Sequence, residues 1–110
     1  MSIEFIAAGA PRDLSRAIEQ FATGQGSVTA LVVPWESQGT TLNMAVTSVK
    51  TDGWAIEHTN LGTISLTPLE EGRTRVAIAA TESIRPEEPA LSPVFGRFAQ
   101  QVQRRFELQT

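Results

Sequence analysis

The run from Pro89 to Gln109 constrains this chain most. Placed on a helix at 100° per residue, Leu91, Val94, Phe95, Phe98, Ala99, Val102 and Phe106 share one face. Three of the chain's five phenylalanines stand on that stripe. Arg97, Gln100, Arg104 and Glu107 lie around the opposite side. Ser92 suits the cap position, and Pro93 suits the first helical position, where a missing N–H costs nothing. Arg104 and Arg105 sit in the last turns, where cations complement the helix dipole. A stripe this wide needs an apolar surface to cover. A helix of about 18 residues is roughly 27 Å long, close to the roughly 26 Å of an eight-residue strand. The expectation is a helix laid across a sheet.

The rest of the chain supplies that sheet. Ile3 to Ala8 reads as a short strand, stopped by Gly9-Ala10-Pro11. Pro11 opens a helix to about Ala22, with Leu14, Ala17, Ile18 and Phe21 on one face. From Gly26 the period changes to two. Val28 to Val33 is apolar on both faces, and Pro34 ends it or sets it at a sheet edge. Trp35 to Gly39 reads as a turn, and Thr40 to Val49 as the next strand, with Leu42, Met44 and Val46 on one side. Asp52-Gly53 is a tight-hairpin signal. Trp54, Ile56 and His58 then alternate with Ala55, Glu57 and Thr59. Asn60-Leu61-Gly62 is either a turn or a kink in one strand from Trp54 to Thr67. Pro68 to Gly72 forms a hairpin loop, and Arg73 to Glu82 the last strand. Tight turns between successive strands imply an antiparallel meander. The predicted class is α+β, in the order β-α-β5-α, with five or six strands in one domain over residues 1–110.

Composition narrows the function classes. A content of 41% hydrophobic and 19% charged residues is ordinary for a globular domain. A net charge of −3 argues against nucleic acid as a partner, since phosphate binding needs a basic footprint. Without cysteine there is no disulfide, thiolate nucleophile or cysteine metal site. No apolar run approaches the roughly 20 residues of a membrane span. Met1 to Phe5 lacks the basic start and apolar core of a secretory signal, so a cytoplasmic protein is expected. Gly24-Gln25-Gly26 lacks the third glycine and following helix of a nucleotide-binding loop, and no cofactor is expected.

The stretch Leu61-Gly62-Thr63-Ile64-Ser65-Leu66-Thr67-Pro68-Leu69-Glu70-Glu71-Gly72-Arg73-Thr74-Arg75-Val76 resembles the late hairpin of the START/Bet v 1-like helix-grip superfamily, which includes polyketide cyclase-like proteins. The helix from Val94 to Phe106 resembles that family's gripping helix. The resemblance covers about half the chain, from Trp54 onward. The chain departs from the pattern in having one early helix where members usually have two, and in being shorter. The resemblance implies a hydrophobic ligand held between the sheet and the long helix.

Several side chains are candidates to line such a pocket: Met44, Trp54, His58, Phe95, Phe98 and Val102. Aromatic and Met stripes also fill cores, and that alternative stays open. His58, the only histidine, reads either as a structural or surface residue or as one that contacts ligand or moves a proton. Glu82 continues the face of Val76, Ile78 and Ala80 and is placed to meet Arg105, unless it lies past the strand end and Arg105 snorkels to water over Phe98. The leading expectation is a non-enzymatic domain that binds a small hydrophobic molecule. The alternatives are a homodimeric interaction module and a cyclase- or aromatase-like enzyme using His58 or Glu82. Either way the helical stripe must be buried. Phe98→Ala is expected to cost about 3–5 kcal/mol in urea unfolding, and a loss below about 1 kcal/mol would show that this face is not covered.

Overall fold

The computed structural model describes residues 2–25, 28–33, 40–80 and 91–108, with side chains at all of these except residues 2, 49–52, 56–58, 91 and 92. The elements are β1 (Ser2–Ala8), α1 (Pro11–Gln25), β2 (Val28–Val32), β3 (Leu42–Asp52), β4 (Ala55–Pro68), β5 (Arg73–Ala80) and α2 (Leu91–Phe106). The described strands form one sheet in the order β1-β5-β4-β3-β2, and every described pairing is antiparallel. β1 thus pairs with the last strand, and the meander runs back from it to β2 at the far edge. The class is α+β, as the sequence pattern predicts. Trp35, Glu82 and the connection Ser83 to Pro89 lie outside the described residues.

Of the two readings of Asn60-Leu61-Gly62, the kink within one long strand holds: it is a bulge inside β4, so among the described residues four strands follow α1. Val46 pairs with Gly62 and Thr47 with Asn60, which leaves Leu61 as the extra residue. Leu61 and Gly62 are consecutive and both buried, whereas a regular strand turns only every second residue inward. Beyond the bulge, Gly62, Ile64 and Leu66 resume the inward alternation.

The bulge positions a close contact. A Cβ at Gly62 would lie 2.5 Å from Phe95 Cζ and 2.7 Å from Cε1, and would press on the Ala79 carbonyl of β5. Only a residue with no side chain lets the phenyl ring of α2 descend onto the strand. Around this contact the core is continuous. Met44, Val46, Leu61, Ile64, Leu66 and Val76 from the sheet have no exposed surface, and Phe95, Phe98, Ala99 and Val102 from α2 are at most 2% exposed.

α1 joins the same core through Leu14, Ile18 and Ala22. It runs a turn further than its apolar periodicity suggests, passing through Gly24. The two helices meet through Phe21, whose ring stacks on Phe98 at 6.1 Å and meets Phe106 edge-on at 6.1 Å. α2 is described from Leu91 and includes Ser92 and Pro93. It ends at Phe106, short of the expected Gln109. Glu107 and Leu108 leave the helix and run beside β1, where Glu107 bridges Ala7 and Leu108 N–H donates to Ile6 O at 2.7 Å.

The buried polar groups are satisfied. Thr74 Oγ1 donates to Gly9 O at 2.7 Å, tying the β1–α1 corner to β5, and Ser15 Oγ donates to Arg12 O at 2.7 Å. Because the Gly62 contact leaves no room for a methyl group, Gly62→Ala is expected to destabilise the fold by about 1–3 kcal/mol. Urea unfolding of the variant measures this, and an unchanged midpoint would mean that α2 does not seat on the bulge.

Candidate functional site

The structure brings four of the six candidate pocket residues together and separates the others. Met44 from β3 and Phe95, Phe98 and Val102 from α2 belong to one buried cluster, each between 0% and 2% exposed. Their side chains fill the space between sheet and helix at this level.

Trp54 stands apart, 101% exposed at the tip of the β3–β4 hairpin. The reason is the position of the turn. Asp52 pairs with Ala55, so the two loop residues are Gly53 and Trp54 rather than Asp52 and Gly53. Gly53 takes φ of 64°, supplying at the first loop position the positive φ that a two-residue turn of the II′ kind needs there. That shift of one residue moves Trp54 from the strand into the turn. Among the described residues, β2 pairs with β3 up to Ser48, and β5 pairs with β4 from Gly62, so the outer part of the hairpin lies beyond these described pairings. The backbone of His58 lies in this outer part, opposite Val49, and its side chain is outside the described ones.

Phe98 reaches a cleft at the margin between α2 and the sheet. This cleft has a volume of about 270 Å3 where the end of α1, the start of β2 and α2 converge. Val28, Val94 and Phe98 give it apolar walls, and Gln25, Arg97 and Gln101 give it a polar rim. Arg97 and Gln101 are four residues apart, so both project along one side of α2, Gln101 beside the apolar stripe and Arg97 further round toward the polar face. The periodicity that picked out the stripe passed over both positions, because a polar residue outside a stripe reads as solvated surface.

Arg105 is exposed and lines a separate hollow of about 250 Å3 beside Phe21 and Phe106. The partner expected for it, Glu82, lies outside the described residues. Among the described residues no group of three or more His, Asp or Glu side chains is arranged to hold a metal, and no helix is long and apolar enough to cross a membrane. Compared with known family models, with curated proteins and with solved structures, the chain matches none.

Burial therefore sorts the candidate residues into distinct physical roles. Met44→Ala is expected to cost about 2–5 kcal/mol, as for other buried side chains cut to Ala. Trp54→Ser, at a fully exposed turn, is expected to change stability by no more than about 0.5 kcal/mol. Urea unfolding of the two variants checks the contrast, and equal losses would contradict it.

Proposed function

We propose that this domain acts in the cytoplasm as a non-enzymatic binder of a small, largely hydrophobic molecule held where α2 meets the sheet. The observation that carries this reading is the cleft above Phe98. It combines apolar side chains from two elements, Val28 of β2 and Val94 and Phe98 of α2, with polar groups able to fix one polar end of a ligand. Its volume of about 270 Å3 is below the roughly 300–1,000 Å3 of drug-sized sites, which restricts it to a compact molecule or part of one. Arg97 brings a permanent positive charge and several donors, so a ligand with one acidic group is favoured. The resemblance to helix-grip proteins supports the same location, between the sheet and the long helix.

A second reading, self-association, is favoured by a different observation. β2 is the outer strand of the described sheet, carries no charge, and holds Leu31 with 51% of its surface exposed. Uncharged edge strands are templates for pairing with another strand. In this reading two copies join edge to edge through β2. Sedimentation of wild type and Leu31→Lys separates the cases: a dimer broken by the lysine supports pairing, and a monomer in both removes it.

The binding reading predicts saturable fluorescence enhancement with 1-anilinonaphthalene-8-sulfonate, an apolar two-ring body bearing one anionic group. Arg97→Ala is expected to weaken that binding by about 10- to 100-fold, the worth of a charge-assisted hydrogen bond. Val94→Trp, which fills the cleft, is expected to abolish it. Equal binding by wild type and both variants would overturn the proposal.

A further inference from the structure

A larger cleft lies on the opposite face of the sheet, with a volume of about 470 Å3. It is built from β1, β5 and the two residues that follow α2. Alternation decides which side chains face it. Phe5 and Ala7 on β1 and Thr74 and Val76 on β5 are buried under the helices. Glu4, Ile6, Arg73 and Arg75 therefore project from the other side. The buried Thr74 hydroxyl, bonded to Gly9 O, holds β5 in this register and so holds the two arginines outward.

The patch they surround is apolar. Ile6 leaves 41% of its surface exposed and sits directly opposite Arg75. Leu108 completes the wall, held against β1 by its N–H bond to Ile6 O. The charges around this patch are balanced, with Arg73 and Arg75 against Glu4 and Glu107. Arg75 Nε lies 3.4 Å from Glu4 Oε1, with both side chains more than half exposed. Arg73 pairs at 3.7 Å with Glu71, which is 77% exposed. Ion pairs this open to solvent contribute little, so a ligand can take over either partner at small cost. A ligand with a single charge leaves the opposite pair of groups unmatched. A ligand with both charges and an apolar body matches all of them.

We propose that this cleft binds a small zwitterion with apolar side chains, of the amino-acid or short-peptide class. Its carboxylate lies on Arg73 and Arg75, whose guanidinium groups donate charge-assisted hydrogen bonds to it. Its ammonium lies toward Glu4 and Glu107, and its side chains cover Ile6 and Leu108. A volume of about 470 Å3 is within the range of small-molecule sites. Because Glu107 and Leu108 form one wall, an occupied cleft also fastens the end of α2 to β1.

The test is an amide-resolved NMR titration of the whole chain with the dipeptide Leu-Leu. Saturable shifts are expected at Ile6, Arg75 and Leu108, with half-saturation below about 1 mM, together with slower exchange of the Leu108 amide. N-acetylation of the dipeptide, C-amidation, and Arg75→Gln in the protein should each weaken binding by about tenfold or more, as loss of a charge-assisted contact does. Arg75 is exposed, so the glutamine variant should melt like wild type, and a melting scan confirms it. Three outcomes would overturn the proposal: no shift at these amides up to about 10 mM, equal binding by the blocked dipeptides, or shifts confined to Val28, Val94 and Phe98, which belong to the other cleft.

Discussion

The ring of Phe95 rests on Gly62, and the rest of the fold follows from that contact. At this point the phenyl ring of α2 lies directly on the backbone of β4, with no side chain from the strand beneath it. The strand bulges at Leu61, and the bulge sends two consecutive positions inward instead of one. Leu61, wholly buried, joins the same core as the ring, and Gly62 leaves space beneath it. With Phe95 seated, the helical stripe buries Phe98, Ala99 and Val102 in one cluster with Met44, Ile64 and Leu66. Close-packed interiors tolerate little change in volume, so the glycine and the phenylalanine act as a matched pair.

The seating of α2 also fixes what the two ends of the helix can do. Near its start, Val94, Arg97 and Phe98 face the end of α1 and the start of β2, where the smaller cleft opens. At its finish the chain leaves the helix and lines the outer strand of the sheet, so the edge of β1 is partly covered by its own chain. β2, at the other edge, carries no charged residue and an exposed Leu31. Phe21 joins the helices by stacking on Phe98 and meeting Phe106 edge-on, so α1 and α2 behave as one apolar layer on one side of the sheet.

Much of this architecture can be read from residue order. The 3.6-residue period of Val94 to Phe106 and the two-residue period of the strands are strong because each element buries one face. What escaped the pattern depends on single-residue shifts. Leu61 adds one residue to β4, and a period-two reading carried from Trp54 to Leu66 cannot detect it, although Gly62 beside it hints at a close approach. Asp52-Gly53 announces a hairpin but not which pair forms the loop, and that choice moved Trp54 from the wall of a pocket to a solvent-exposed tip. The pocket residues were legible only as apolar. Whether an apolar side chain fills a core or lines a cavity is a question of volume, which a linear pattern does not contain. The charged walls of both clefts were illegible for a related reason, since Arg73, Arg75 and Arg97 look in sequence like any solvated cation.

The central claim is that Gly62 and Phe95 are coupled through direct contact, and a double-mutant cycle measures that coupling. Gly62→Ala is made in wild type and in Phe95→Leu, and all four proteins are unfolded in urea. The pressure of the new methyl group on the Ala79 carbonyl is common to both backgrounds and cancels, leaving the contact with the ring. The expected result is a substitution that costs at least about 1 kcal/mol less in the Phe95→Leu background, within the roughly 0.5–3 kcal/mol seen for residues in contact. Costs equal to within about 0.3–0.5 kcal/mol in the two backgrounds would mean independent sites, and would contradict the account of how this helix grips its sheet.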